Sequence, residues 1–229
     1  MNNPFKILFK YPSRSRPDRF FMGMDSIYDN LNDKNNFHVL ITADEDDPTM
    51  NNEAVQDRIK EYKNTTVVYG TSKSKIDAIN RELENVTEWF DFDILICMSD
   101  DMVFNTYGFD DMIRVDINAL LPEFDGILHY PDQDAKSALA TLYVAGRKWW
   151  EFRGKKIYQP SYKSLWCDNE EQDVAKMLGK YRYPGYNICL HLNPAYGHLP
   201  RDPLFNEQQG HWPEDEKNYH ERKANNFYL

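Results

Sequence analysis

The chain has 229 residues, of which 41% are hydrophobic and 28% charged, so it is long enough and apolar enough for one large α/β domain with a proper core. Its formal net charge of −10 does not favour direct nucleic-acid binding through the phosphate backbone, although a local basic patch stays open. Because its three cysteines form no CxxC pair and no signal peptide or membrane-spanning run is visible, we expect a soluble cytoplasmic protein without a zinc site.

Strands and helices alternate along the first half of the chain. Short apolar runs predict strands at residues 5–9, 37–42, 65–69 and 93–98. Apolar residues at three- and four-residue spacing predict helices at residues 18–31, 50–62, 76–86 and 109–121. Because no linker or repeat interrupts this alternation, we expect one α/β domain with a mostly parallel central sheet flanked by helices.

The pattern changes after residue 122. Predicted strands at 125–132 and 139–145 lead into an aromatic-rich region at 149–166. A helix is predicted at 168–178 and a strand at 186–190, and the charged tail from residue 213 predicts a helix that packs back over the domain. The aromatic side chains either form a small core of their own or line a site for a second substrate.

Two adjacent carboxylates directly follow the fourth predicted strand. Asp100 and Asp101 thus lie at a strand's carboxyl end, which is where open α/β sheets bind ligands. Neighbouring carboxylates repel each other unless a positive charge neutralises them, and hard divalent cations prefer oxygen ligands. The pair therefore predicts a metal–phosphate site. The alternative is a strand-to-helix turn in which the pair caps the next helix.

Other strand ends carry charged residues as well. Arg14 and Arg16 follow the first strand and are suited to pair with phosphate, although a solvated loop explains them equally well. Asp44 follows the second strand, where a carboxylate is suited to bind a ribose hydroxyl or a base edge. Lys73 and Lys75 begin a predicted helix, where cations are unfavourable unless an anion offsets them.

An acidic segment opens the helix predicted at 168–178. Four carboxylates within six residues, from Asp168 to Asp173, are more than helix capping requires, but capping remains the alternative for Asp168. His191 follows the last predicted strand. These residues add a possible base and a possible metal ligand to the candidates of the first half.

Over roughly residues 5–205, the order of these segments resembles the GT-A glycosyltransferases, especially inverting family-2-like enzymes. The resemblance is carried by Ser99-Asp100-Asp101 in place of the DxD motif, by Asp44, by the helix start Lys75…Asn80, by Cys167-Asp168-Asn169-Glu170 in place of the ED-type acceptor motif, and by His191. It departs from the family where Ser99 replaces the first aspartate and where Cys167 replaces a glutamate.

The resemblance implies a single GT-A, Rossmann-like domain over residues 1–229. Residues 1–121 would form the nucleotide-sugar-binding half, residues 122–205 a smaller acceptor-binding half, and residues 206–229 a tail packing back. The implied activity is transfer of a sugar from a nucleotide-diphosphate donor, by family habit a UDP-sugar, to an acceptor hydroxyl with inversion.

The resemblance also implies a role for individual residues. Asp101 and His191 would bind Mn²⁺ or Mg²⁺, and Asp100 would hold the ribose or the water shell of the metal. Asp168 would act as the base, and Glu170 would orient the acceptor. The remaining residues implied in donor binding are Tyr11, Ser13, Arg14, Asp44, Lys75 and Asn80.

Two other functions compete with this interpretation. A sugar-nucleotide-forming nucleotidyltransferase shares the sheet and the acidic ligands, but the loop after its first strand is glycine-rich, and residues 10–14 contain no glycine. A non-catalytic sugar- or nucleotide-binding protein of the same fold is the second alternative. Nothing in the sequence selects a glycan, lipid, protein, small molecule or modified nucleobase as the acceptor, and nothing sets the oligomeric state.

Overall fold

The computed structural model describes residues 4–229. The expectation of no signal peptide concerns the N-terminus, whose first three residues lie outside the described part. The strands are β1 (Ile7–Ser13), β2 (Phe37–Asp44), β3 (Thr65–Gly70), β4 (Ile94–Cys97), β5 (Met102–Phe104), β6 (Ile127–Leu128), β7 (Tyr143–Gly146), β8 (Tyr181–Arg182) and β9 (Cys189–His191). The helices are α1 (Pro17–Asn30), α2 (Glu53–Lys60), α3 (Lys75–Asn80), α4 (Leu83–Val86), α5 (Phe109–Leu120), α6 (Arg147–Phe152), α7 (Cys167–Met177), α8 (Pro203–Gly210) and α9 (Trp212–Ala224).

Seven strands form one sheet in the order β3-β2-β1-β4-β7-β6-β8. The strands of the first half are parallel, with Ile7 of β1 opposite Phe37 of β2 and Ile94 of β4. Strand β7 joins β4 in the antiparallel direction and connects the sheet to the strands of the second half. The predicted α/β fold with a mostly parallel central sheet is confirmed.

Each face of the sheet packs against its own set of helices. Side chains alternate along β1, so Ile7 and Phe9 enter a core with α1, α2 and α5. Leu8 enters a second core on the other face, which contains residues of α3, α6, α7 and α9. Burial on both faces explains why the central strands read as nearly continuous apolar runs in the sequence.

Several predicted elements differ from the structure. The helix predicted at 76–86 is divided into α3 and α4, because Glu82 adopts a left-handed conformation with φ = 69°. The Asp100-Asp101 pair is followed by strand β5, so the alternative in which it caps a helix is wrong. The helix α8 had no sequence prediction. Among residues 4–229, no helix has the combination of length and apolar content needed to cross a bilayer.

Candidate active site

A cavity of about 560 Å³ opens at the carboxyl ends of β1, β2 and β4. Because these strands run parallel, the segments that follow them meet at one edge of the sheet. The first turn of α7 and residues between 193 and 212 form further walls of the cavity. Side chains that lie far apart in the sequence therefore share one space.

Asp100 and Asp101 line this cavity just beyond the end of β4, and both side chains are buried. One oxygen of each carboxylate, Oδ1, has no hydrogen-bond partner among residues 4–229. Burial raises the pKa of Asp100 to about 7, against the opposing effect of the Arg16 charge. The two buried carboxylates thus bring negative charge that a bound cation would neutralise.

His191 ends β9 and lies between two carboxylates. Its Nε2 is 3.5 Å from Oδ2 of Asp101, and its Nδ1 is 3.2 Å from Oδ2 of Asp132. Burial alone would lower the pKa of His191, but the two carboxylates outweigh burial and raise it to about 9. Burial likewise disfavours the charged form of Asp101, yet the contact with His191 lowers the pKa of that carboxyl below its ordinary value. The charged forms of Asp101, His191 and Asp132 therefore stabilise one another.

Asp132 is a buried site residue that the sequence analysis missed. Its Oδ1 accepts hydrogen bonds from the backbone N–H groups of residues 134–136, and its Oδ2 accepts one from the Thr141 hydroxyl at 2.8 Å. A carboxylate held so firmly fixes which ring nitrogen of His191 faces Asp101. The signal available in the sequence was its position at the end of the strand predicted at 125–132.

These side chains fit a divalent cation. Asp101 Oδ2 and His191 Nε2 lie 3.5 Å apart, and both residues line the cavity. Carboxylates suit Mg²⁺ and Mn²⁺, and an imidazole beside them favours Mn²⁺. In the described part of the chain, no three histidine, cysteine, aspartate or glutamate side chains converge as a complete metal site. The residues present would therefore fill only part of the coordination shell of a cation.

Asp44 ends β2 and presents a second acidic position in the cavity. Its Oδ2 accepts a hydrogen bond from Arg14 Nη1 at 2.7 Å. Its Oδ1 is buried without a hydrogen-bond partner among the described residues. Nη2 of Arg81 lies 3.9 Å from this oxygen. Ser13, at the end of the neighbouring β1, lines the same wall. Asp44 is thus held by Arg14 and keeps one free acceptor oxygen.

Arg16 and Lys75, two of the cations that line the cavity, differ in their surroundings. Arg16 donates two hydrogen bonds to Asp202, the N-cap residue of α8, at 2.7 and 2.8 Å. Its guanidinium therefore anchors α8 to the cavity. Lys75 lines the cavity at the start of α3. Burial raises the pKa of Asp100 and of Asp168, and the positive charge of Lys75 acts in the opposite direction on both. Lys75 is therefore the cation suited to face a bound anion.

Asp168 lines the cavity from the first turn of α7. The N-cap position of this helix is Trp166, so Asp168 does not cap it, and its Oδ1 accepts the backbone N–H of Asn169 at 3.0 Å. Burial raises the pKa of Asp168 above its ordinary value. A carboxylate with a raised pKa is well matched to accepting a proton near neutral pH.

Two candidate donor contacts do not line the cavity. Tyr11 lies in the core, because odd-numbered residues of β1 face α1, and its hydroxyl donates to the Phe20 carbonyl at 3.3 Å. The Asn80 side chain donates to the Tyr158 carbonyl at 2.7 Å and accepts the Ile157 N–H at 2.9 Å. The structure thus places both residues in internal packing, where their polar groups already have partners, and not at the ligand site.

Glu170 is also separated from the cavity. Its buried carboxylate accepts hydrogen bonds from Arg153, Tyr162 and Arg222, at distances between 2.6 and 3.0 Å. Because Glu170 follows Asp168 by two residues, about half a turn of α7, the two side chains point to nearly opposite sides of the helix. Glu170 joins α7 to α9 and is not placed to orient an acceptor.

Replacing Glu170 tests this structural role. Glu170→Ala removes the carboxylate that faces two arginines in the interior, so we expect the free energy of unfolding to fall by about 3–5 kcal/mol. Urea unfolding followed by circular dichroism measures the change. The matched control is Glu221→Ala on the exposed side of α9, expected to stay within about 0.5 kcal/mol. An unchanged urea midpoint with loss of activity would instead return Glu170 to the site.

No protein-family model and no curated protein matches the chain. Its fold matches solved structures. The mannosyltransferase PcManGT from Pyrobaculum calidifontis, solved with GDP-Man and Mn²⁺, aligns with a TM-score of 0.64 and 14% identity over 86% of this chain and 59% of that chain. S. aureus TarS 1–349 with UDP-GlcNAc aligns with a TM-score of 0.60 and 12% identity over 81% and 58%. The chain has a GT-A glycosyltransferase fold.

A third GT-A structure matches over a larger share of its own length. Glucosyl-3-phosphoglycerate synthase from Mycobacterium tuberculosis, solved with Mg²⁺ and UDP, aligns with a TM-score of 0.56 and 13% identity over 82% of this chain and 72% of that chain. The present chain spans about three fifths of the length of the mannosyltransferase and TarS structures. At these identities, the likeness establishes the GT-A fold, and the site residues carry the argument about activity.

Proposed function

We propose that this protein is a metal-dependent glycosyltransferase that moves a sugar from a UDP-sugar to an acceptor hydroxyl with inversion. The main support is one cavity that contains three buried carboxylates with unpartnered oxygens, on Asp44, Asp100 and Asp101, together with Asp168 on another wall. The GT-A structures solved with GDP-Man, UDP-GlcNAc or UDP, and with Mn²⁺ or Mg²⁺ in two of them, agree with a nucleotide-sugar donor.

The donor diphosphate would lie beside Asp101 and His191, which would hold Mn²⁺ or Mg²⁺ there. When bound, the cation would act as a Lewis acid for the charge that develops on the leaving nucleoside diphosphate. Lys75 would add a fixed positive charge on the same side. Asp100, with its raised pKa and its free Oδ1, is suited to bind a ribose hydroxyl or a metal-bound water.

Asp44 supports uracil as the base. A carboxylate accepts hydrogen bonds and cannot donate them when ionised, and Arg14 occupies one of its two oxygens. The pairing edge of uracil carries one N–H group, whereas the corresponding edge of guanine carries donors on two nitrogens. The one unpartnered oxygen of Asp44 therefore matches uracil better than guanine. Ser13, on the same wall, offers a hydroxyl to the nucleoside.

Asp168 would act as the general base. Its carboxylate would accept the proton of the acceptor hydroxyl while the acceptor oxygen forms a bond to the anomeric carbon. The bond from this carbon to the diphosphate breaks at the same time, and its electron pair leaves with UDP. Inversion would require the acceptor oxygen to attack the anomeric carbon from the face opposite the departing UDP. The position of Asp168 on α7 and of Asp101 after β4, on different elements that line the cavity, supports this arrangement.

Calorimetric titration of the protein with UDP and with GDP tests this proposal. We expect UDP to bind in the presence of MnCl₂, with affinity at least about tenfold weaker in EDTA and weaker for GDP than for UDP. A panel of UDP-sugars with Mn²⁺ should then release UDP. Absence of nucleotide binding with and without Mn²⁺ would refute the proposal. Binding without turnover of any donor would favour the non-catalytic alternative.

A further inference from the structure

The acceptor side of the cavity has an aromatic wall, which we define as Trp166, Tyr196 and Trp212. All three side chains line the cavity. Trp212 is 45% exposed and Tyr196 is 60% exposed, although large aromatic side chains are usually buried. The ring centroids of Trp166 and Trp212 are 5.3 Å apart and the rings are nearly perpendicular. Exposed ring surface of Trp212 and Tyr196 therefore borders the cavity.

Trp166 has an unusual backbone conformation, with φ = 63°. A bulky residue in the left-handed region is strained by roughly 1–3 kcal/mol and persists only where surrounding contacts enforce it. Here Asp215 of α9 accepts the backbone N–H groups of residues 163–165, each at 2.8 Å. Tyr219 of α9 packs against the Trp166 ring with centroids 5.0 Å apart. Helix α9 therefore fixes the position of Trp166, two residues before Asp168.

Charges are divided unequally between the two sides of the cavity. Its lysines, Lys73, Lys75 and Lys163, gather near the start of α3, where the Lys163 carbonyl accepts the Ile76 N–H at 3.3 Å. Between residues 193 and 212, the described lining contains no lysine or arginine and instead has amide side chains such as Gln208 and Gln209. This segment, whose lining also includes His211, therefore offers no lysine or arginine side chain to a phosphorylated acceptor or a nucleic-acid strand.

We infer that the aromatic wall is an acceptor subsite for a neutral saccharide, whose ring stacks on Trp212 and whose hydroxyl faces Asp168. This inference rests on the proposed glycosyltransferase function. Aromatic faces pack against the C–H groups of a sugar ring, and amide side chains both donate to and accept from sugar hydroxyls. In the transfer, the acceptor O–H gives its proton to Asp168, its oxygen bonds to the anomeric carbon, and UDP leaves with the bonding electrons. The product is a lengthened saccharide.

An acceptor screen followed by one substitution tests the subsite. The probes are neutral mono- and disaccharides and p-nitrophenyl glycosides, compared with 3-phosphoglycerate and a single-stranded DNA carrying 5-hydroxymethylcytosine. With the active UDP-sugar and Mn²⁺, we expect transfer to neutral saccharides. Trp212→Ala is expected to raise the acceptor KM by roughly tenfold or more. Trp212→Phe, which keeps a ring, should recover much of this loss.

The matched control is Trp89→Ala. Trp89 is 51% exposed but packs beside His38, outside the lining of the cavity, so its loss should leave the acceptor KM unchanged. Transfer only to an anionic probe, or to no saccharide in a protein that turns over UDP-sugar, would overturn the inference. So would an acceptor KM that Trp212→Ala leaves unaltered. A protein that binds no UDP would instead fail the proposed function itself.

Discussion

Asp101→Ala is expected to lower kcat/KM for the UDP-sugar by roughly 10³-fold or more. The substitution removes the carboxylate that we assign to the cation, and Lewis-acid stabilisation of a leaving group is worth several kcal/mol. The fold should persist, because His191 keeps its contact with Asp132 at 3.2 Å. Steady-state UDP release and titration of Mn²⁺ into the protein–UDP complex measure the two effects, on turnover and on metal binding.

Asp57→Ala is the matched control for Asp101→Ala. Asp57 is an exposed carboxylate of α2 that pairs with Lys60, and it lies outside the lining of the cavity. We expect this variant to keep normal turnover and normal Mn²⁺ affinity. If Asp101→Ala bound Mn²⁺ and UDP as tightly as the original protein, Asp101 would not be the metal ligand.

Asp168→Asn is expected to lower kcat by about 10²–10⁴-fold, because an amide cannot accept the acceptor proton. The Kd for UDP should stay within about a factor of two, since the nucleotide is assigned to other walls of the cavity. Single-turnover transfer and calorimetric UDP binding separate these quantities. Transfer at the original rate would remove Asp168 as the base. Asp57→Asn, which makes the same change at an exposed carboxylate outside the lining of the cavity, is the control and should keep normal transfer.

The pH dependence of transfer should report the same carboxyl. Burial raises the pKa of Asp168, and only the ionised form accepts a proton. The rate is therefore expected to fall as the pH is lowered, with a midpoint above the ordinary range of an aspartate. In Asp168→Asn, the residual rate should lose this acidic limb. A limb that survives the substitution would belong to another group.

The same raised pKa has a consequence for stability. A carboxyl whose pKa is higher in the folded than in the unfolded state favours the fold at low pH, and this contribution is lost as the pH rises through the folded-state value. At neutral pH the ionised Asp168 therefore costs stability. Asp168→Asn should accordingly unfold at the same or a higher temperature than the original protein at pH 7.

Local sequence patterns were sufficient for the central sheet. β1, β2 and β4 are buried on both faces, and such strands consist of consecutive apolar residues that are visible without the fold. The parallel direction of these strands then follows from their alternation with helices. Asp44, Asp100 and Asp101 were identifiable because the end of a strand is visible in the sequence. Parallel strands bring their carboxyl ends to the same edge of the sheet, so the three residues were expected to meet there.

Contacts between distant segments were not visible in this way. Asp132 lies beside His191 because the side chain of its neighbour Gln133 exchanges two hydrogen bonds with the His191 backbone, and Asn80 is bound by residues 157–158. Glu170 belongs to the segment that resembles the ED-type acceptor motif, yet its carboxylate binds Arg153 and Arg222 in the interior. Whether a polar side chain faces a ligand or another side chain depends on these partners, and the sequence around a residue does not specify them.

The sequence by itself thus determined the α/β class, the parallel direction of the strands in the first half and the acidic strand ends. Only the tertiary structure decided which polar groups remain without partners among residues 4–229: Oδ1 of Asp44, Asp100 and Asp101 has no hydrogen-bond partner there, whereas the polar groups of Tyr11, Asn80 and Glu170 are used internally. The physical reason is that secondary structure follows from local apolar spacing, whereas hydrogen-bond satisfaction in the interior depends on side chains that folding brings together from remote segments.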